Sequence, residues 1–597
     1  MKKRVADIIV DCLIENGITD CFSVVGGGAM HLNNAFVLRD EIQKVYCHHE
    51  QACAMAAEGY AKISGKLAVV CVTSGPGGLN TLNGVQGAYV DNTPMIIISG
   101  HPRYATTVAA TGLNLRYRGV QEFDIISAVK GMTKYAKLLT NPKEVKAEVY
   151  KAIDIAMSGR RGPVWLEIPL DVQSTFVEED ELDAIDCRAD KNMESNEKEI
   201  MSEIVAEISN ANRPCILTGS GIRVSGAIEG FREFANKLGV PVVGGALQAD
   251  IMNNENPLYY GMSGNIGPRC GNFILQNADL IIVIGNSLSF KQTGFKQEAF
   301  APKARILMLD IEPDEAKKPG LHVDRFYQVD LKTFFDNVND VIKKIEVAEE
   351  WKGYCDDVRE RFTVYEALEH IDSDMEGVSA SEFWKKMLDM AEDDAIFALG
   401  NSSCIVPPLV FGVNKENQRI VVNYNSGSMG DDLPEAVGVA VATGKEVYCV
   451  TGDGSVMMNL QELQTIKHNQ LPVKIVIFSN NGYAAIRRTC KNFFNGTYTG
   501  CDSDSGISIP DFERVAYGFE VPYKRCERAS DIEETIQWMK NQNGICIVEI
   551  MQKLEDTMYP RLMSKMKEDG TFIDPELHDM YPFVSDDEMK KWMPNWD

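Results

Sequence analysis

Short apolar runs recur along the whole chain, separated by glycine-rich turns and amphipathic stretches. Leu67–Val72, Pro94–Ser99, Val164–Ile168, Cys215–Thr218, Leu280–Gly285 and Arg305–Asp310 are examples. Runs of this length, apolar at nearly every interior residue, suit strands buried on both faces, which belong to parallel sheets covered by helices. The rhythm of strand, turn and helix therefore predicts an α/β protein of stacked βαβ units, with doubly wound parallel sheets. Two stretches read as linkers: 177–200, acidic and polar, and 345–378, charged but partly helical in character. They divide the 597 residues into 1–178, 195–345 and 375–550, each suited to one α/β domain, and a tail, 551–597, rich in Met, Pro, Trp and acidic residues. The tail suits either wrapping a neighbour or closing over a site.

Composition narrows the partners. A net charge of −26 argues against nucleic acid or an anionic membrane, both of which reward basic patches. No apolar run reaches the ~18–20 residues of a membrane span. Basic residues open the chain, but Asp7, Asp11 and Glu15 interrupt the apolar stretch after them, so no signal-peptide core is expected. The 15 cysteines are scattered without a Cys-x-x-Cys pair, as expected for reduced, buried thiols of a cytoplasmic protein.

Two motifs carry chemistry. The apolar run Glu446–Val450 leads into Gly452-Asp453-Gly454-Ser455, and Val473–Phe478 leads into Ser479-Asn480-Asn481-Gly482-Tyr483. Asp453 and Asn480 thus stand at the C-terminal ends of two strands, the edge where open α/β sheets bind ligands. A hard cation such as Mg²⁺ takes oxygen ligands, usually including phosphate oxygens of its substrate or cofactor. Asn480 comes 27 positions after Asp453, which resembles the Gly-Asp-Gly … Asn-Asn signature of thiamine-diphosphate (ThDP) enzymes. The resemblance implies metal ligation by Asp453, Asn480 and the carbonyl of Gly482. It implies diphosphate contacts at Gly454, Ser455 and Tyr483, with Ser455 opening a helix. Ser479 stands where the family has the first Asn.

Glu50 precedes an Ala-rich helix, in a segment that resembles the His-Glu-x-x-Ala-x-x-x-Ala-x-Gly-Tyr-Ala stretch of acetolactate synthases. There the Glu hydrogen-bonds the cofactor's aminopyrimidine and promotes the nucleophilic form of its thiazolium carbon. Further segments keep the family's order. Ser23–Ala29 supplies Gly27 and Gly28, with Gly26 in place of the usual Pro. Thr73–Asn80 supplies Ser74, Pro76 and Asn80. Gly400 precedes Asn401 and Ser402, where the family contacts the diphosphate. Gly427 and Met429 lie in Ser426–Gly430, whose Met is a wedge that bends the cofactor. The resemblance places Gln121 and Lys134 at the substrate, although Val120 replaces an aromatic. Arg487 and Arg488 come after the clamp; the sequence favours a helix cap over contact with an anionic acceptor.

The middle segment holds Gly219-Ser-Gly221 after a strand, without the third glycine of a dinucleotide fingerprint. Many acetolactate synthases carry FAD here. Their Arg-bearing stretch reads Ser287-Leu-Ser-Phe-Lys291, which weighs against FAD. The resemblance covers about residues 4–550. It implies a ThDP- and Mg²⁺-dependent carboligase that decarboxylates a 2-oxo acid such as pyruvate and transfers the acyl unit to a 2-oxo acid or other carbonyl acceptor. A keto-sugar nucleotide acceptor, a simple decarboxylase, an oxidase and a C–C hydrolase are the alternatives. Outside catalysis, the rival is a silent cofactor-binding regulator, against which Glu50 argues. In relatives the site lies between chains, so a homodimer is the minimum expected assembly and a tetramer is compatible.

Overall fold

The computed structural model describes residues 2–184, 196–340, 342–556, 559–566 and 571–596. Part of the first expected linker, 185–195, lies outside the described residues. Three six-stranded parallel sheets form the molecule, each between layers of helices. The first contains, in spatial order, Gln43–Tyr46, Asp20–Ser23, Ala68–Val72, Met95–His101, Val164–Pro169 and Tyr135–Leu138. The third contains Arg419–Val422, Ile396–Leu399, Val447–Gly452, Val473–Ser479, Cys546–Met551 and Tyr523–Cys526. Numbered along the chain, both sheets take the same order, 2-1-3-4-6-5. In each, the order reverses between the first and third strands, which opens a crevice at their C-terminal ends.

The central sheet runs Tyr259–Met262, Val242–Gly244, Pro214–Thr218, Leu280–Ile284, Arg305–Asp310 and Arg325–Gln328, the order 3-2-1-4-5-6. Its middle strands are buried along their length, which explains why they read as unbroken apolar runs.

The first and third domains pack through two helices, Glu50–Ser64 and Asp432–Thr443. Each ends on a left-handed glycine, Gly65 and Gly444. Beside this crossing, Lys62 reaches Glu58 at 2.6 Å, Asp91 at 3.1 Å and Glu435 at 3.3 Å, all buried. Asn423 adds a hydrogen bond to Glu58 at 3.1 Å.

Two expectations need correction. The stretch 345–378 is not a plain linker. It carries the helix Glu349–Arg361, whose Trp351 is buried and donates to the Pro214 carbonyl at 2.9 Å. The tail wraps its own central domain: Asn272 donates to the Leu577 carbonyl at 3.0 Å, and Asn277 to that of Trp592 at 3.0 Å. Buried Arg269 bonds the carbonyls of Met580, at 2.7 Å, and Pro582. Apolar tail residues such as Leu577 and Trp592 complete this contact, which charge and polarity alone did not reveal.

Candidate functional site

The first-domain half of the site gathers at the C-terminal edge of its sheet. Glu50 opens its helix behind His49, whose Nδ1 accepts the Gln51 amide at 3.1 Å. Asn80 donates its side-chain amide to Glu50 Oε2 at 2.9 Å. Oε1 accepts no hydrogen bond among the described residues. Gly28 donates its amide to Thr73 Oγ1 at 3.0 Å, which joins the Gly27–Gly28 turn to the Ser74–Asn80 turn. Gly26 has no room for the proline of related chains: a Cβ there would stand 2.5 Å from Thr73 Cβ. Gln121 is exposed and left-handed, with φ +57°, and its carbonyl crosses Gly75 where a Cβ would sit. A non-glycine residue held in that region is strained, a feature that clusters at functional sites.

Lys134 is not part of this group. It precedes the edge strand Tyr135–Leu138 and so lies at the N-terminal edge of the sheet, opposite Glu50. Its Nζ bonds the carbonyls of Ile155 and of Ser158, the latter at 2.7 Å, and burial pushes its ammonium down to about 8.

The third-domain half sits at the crevice of its own sheet. Asp453 is 1% exposed, and its Oδ2 accepts the amides of Asn480 at 2.9 Å and Gly482 at 3.0 Å. Burial raises its carboxyl to about 6, against the pull of those amides. Gly482 has φ +129°, and a Cβ there would collide with the Cys501 carbonyl. A side chain on Gly454 would strike the ring of Tyr483. The loop after the first strand places Ser402 at φ +57°, with its Oγ buried and unpartnered among the described residues. Asn401 donates to the Ser428 carbonyl at 2.8 Å, which brings this loop to the turn of Gly427 and half-buried Met429.

Ser455 contributes less than expected. Its hydroxyl donates to buried Asp432 at 2.7 Å and accepts the Gly430 amide at 2.8 Å, so only its backbone can meet a ligand. The helix it was expected to open is a single turn, Asp453–Val456. Arg487 and Arg488 do not cap their helix, Ala484–Phe493. Arg487 donates to the Asn480 carbonyl at 2.7 Å, and Arg488 to that of Asp556 at 3.1 Å. Sequence reasoning missed Gln552, whose Oε1 accepts the Asn480 amide at 3.0 Å. Its place just beyond Cys546–Met551, the strand paired with Val473–Ser479, was the available signal.

A cavity of about 680 Å³ opens at the switch point of the central sheet, lined by Gly219–Gly221, Gly285–Ser287, Asp310 and Glu312. The amides of Gly219 and Gly221 are taken up by the carbonyls of Ile284 and Gly285, both at 2.9 Å. Lys318 bonds Glu315 and the Ser287 carbonyl, and Arg160 bonds Glu315 at 2.6 Å.

Two sheets of one topology, one presenting an oriented carboxylate and the other a carboxylate–carboxamide clamp, define a cofactor-dependent α/β enzyme. The chain belongs to the thiamine pyrophosphate enzyme family. Residues 3–127 match its N-terminal TPP binding domain, 201–337 its central domain and 400–550 its C-terminal TPP binding domain. It is similar to the acetolactate synthase isozyme 2 large subunit of Escherichia coli, 28% identical over 93% of this chain and 96% of that protein. The isozyme 1 large subunit of the same organism is 29% identical over 93% and 95%. Acetolactate synthase 1 of Zea mays is 27% identical over 94% and 87%.

Proposed function

We propose that the protein is a 2-oxo acid decarboxylating carboligase that uses ThDP and Mg²⁺, with pyruvate as donor and a carbonyl compound as acceptor. The observation that carries this reading is the clamp: at one sheet edge, buried Asp453 accepts the backbone amides of Asn480 and Gly482, which draws the three residues together. The unpartnered hydroxyl of Ser402, in the loop after the strand beside Val447–Gly452, offers a further polar group at this edge. These features fit a diphosphate held through a hard cation. When bound, ThDP supplies a nucleophilic carbon and an electron sink for decarboxylation.

The chain's own residues do the rest. Asp453, Asn480 and the Gly482 carbonyl hold the cation. Glu50, steadied by Asn80, exchanges a proton with the aminopyrimidine through its open Oε1. Met429 would lie beneath the cofactor and support it, and Gln121 would offer a neutral amide to the substrate carbonyl.

We infer a site shared between two copies of the chain. Among the described residues, Glu50's hydrogen-bond partner is Asn80 of its own domain, and no bond joins it to the clamp. Apolar residues stand exposed around both halves: Val25, Leu79 and Val120 on the first, Met457, Met458 and Phe493 on the third. Uncovered apolar surface of this kind marks a contact site. The fourteen described cysteines are all buried and free, as suits the cytoplasm. We propose no flavin at the central cavity, where Arg160 and Lys318 both bond Glu315 and the Gly219 and Gly221 amides bond backbone carbonyls.

Incubation with ThDP, Mg²⁺ and pyruvate should release CO₂, and product analysis with 2-oxo acid, aldehyde and keto-sugar acceptors should identify the ligation product. If no 2-oxo acid in the panel is consumed, the carboligase reading fails. Glu50→Gln should lower turnover by about 10²–10⁴-fold, the usual weight of a positioned acid–base group. Unchanged turnover would remove Glu50 from that role.

A further inference from the structure

The carboxamide of Asn480 can serve a cation only if its oxygen, not its nitrogen, faces the clamp. A buried chain of hydrogen bonds decides which. Asp556, 9% exposed, accepts Ser379 Oγ at 2.9 Å on Oδ1, and the Ala380 amide at 2.7 Å on Oδ2. The same Oδ2 accepts Gln552 Nε2 at 2.9 Å. Burial raises the Asp556 carboxyl, but all three partners donate to it, so both of its oxygens accept. Gln552 must therefore turn its nitrogen to Asp556 and its oxygen to Asn480. Asn480 in turn must donate Nδ2 to Gln552, at 3.0 Å, and present Oδ1 on its other side. Arg487 supports the same orientation, since its guanidinium lies 3.4 Å from Oδ1.

The backbone holds this chain in place. Ser479 pairs with Met551 in the sheet, and the Gln552 amide bonds the Ser479 carbonyl at 2.9 Å, so Gln552 stands directly beside Asn480.

We propose that Gln552 and Asp556 are positioning residues for the metal clamp. Asp556 fixes the amide of Gln552, and Gln552 fixes the carboxamide of Asn480 with its oxygen toward the cation. The proposal rests on the clamp reading above. It also links the clamp to the root of the tail and, through Ser379, to the first turn of the helix Ala380–Met390.

The test is calorimetric titration of the full-length protein with Mg²⁺ in saturating ThDP, beside thermal unfolding of each variant. Asp556→Leu frees Gln552 to turn over and should weaken Mg²⁺ binding by ~10–100-fold, the range for partners that orient a metal ligand. Gln552→Leu keeps Asp556 intact and should weaken it comparably. Asp556→Asn keeps an oxygen where the Ala380 amide and Gln552 Nε2 meet, with its nitrogen toward Ser379 Oγ, and should hold wild-type affinity. Unchanged affinity in folded Asp556→Leu or Gln552→Leu overturns the proposal, as does a folded Asp556→Asn as weak as Asp556→Leu. Asp453→Ala separates the two readings. If it abolishes the Mg²⁺ signal while the 552 and 556 variants leave it intact, the clamp stands and the positioning chain falls. If wild type shows no Mg²⁺-dependent binding, both fall.

Discussion

Gly454 shows how one missing methyl group shapes the site. The ring of Tyr483 occupies the volume a Cβ would take, so the two cofactor motifs interlock through that position. Gly454→Ala should cost about 1–3 kcal/mol from overpacking and weaken ThDP binding as the ring is displaced. Thermal unfolding and cofactor titration read the two effects separately, and unchanged behaviour in both would show that Tyr483 yields freely. Residues of this kind were legible in the sequence, because Asp453, Asn480 and Glu50 stand in motifs with fixed spacing beside recognisable strands. Gln552, Asp556 and Asp432 were not, because a buried polar side chain looks ordinary until its partner, far away in sequence, is known. Lys134 failed for a related reason: nothing in a linear motif says which edge of a sheet a residue will occupy.

At the scale of elements, the helices Glu50–Ser64 and Asp432–Thr443 carry an unusual burden for a helix pair. Four buried carboxyls, on Glu58, Asp91, Asp431 and Glu435, surround the single ammonium of Lys62. Burial raises the Glu435 carboxyl from 4.5 to about 8, against the pull of Lys62. A raised carboxyl favours the folded state while protonated. Its contribution is full below about 4.5 and is lost as pH rises through about 8. The melting temperature should therefore fall between about pH 5 and pH 8 and level off above it, and Glu435→Gln should flatten that fall. An unchanged slope in the variant would show that Glu435 does not titrate there. Lys62→Met, which strips the carboxyls of their counter-charge, should destabilise by about 3–5 kcal/mol. The strands were legible as unbroken apolar runs. The packing of this helix pair was not, because the burial of Asp431–Glu435 depends on another domain.

For the whole molecule, the repeated 2-1-3-4-6-5 order gives each chain two crevices on one plan, one beside Glu50 and one beside Asp453, which the proposed site would join across two copies. Light scattering should give at least twice the 66.3 kDa chain mass, and Met457→Lys with Phe493→Glu should shift it toward monomer with loss of ThDP binding. A monomeric wild type that binds ThDP would sink the shared site. The three-domain architecture was legible from the rhythm of strands. The destination of the tail was not, since its anchors are carbonyls and apolar rings without a motif.

That tail also sets an order of events during synthesis. Arg269 is 1% exposed, and two of its acceptors are the carbonyls of Met580 and Pro582, the latter 313 residues downstream. At about 5–20 residues per second, those acceptors leave the ribosome on the order of 15–60 s after Arg269 does. The central domain, made early, cannot close its surface until that segment follows. Throughout that interval its unfinished face is where a nascent-chain chaperone has the most to bind.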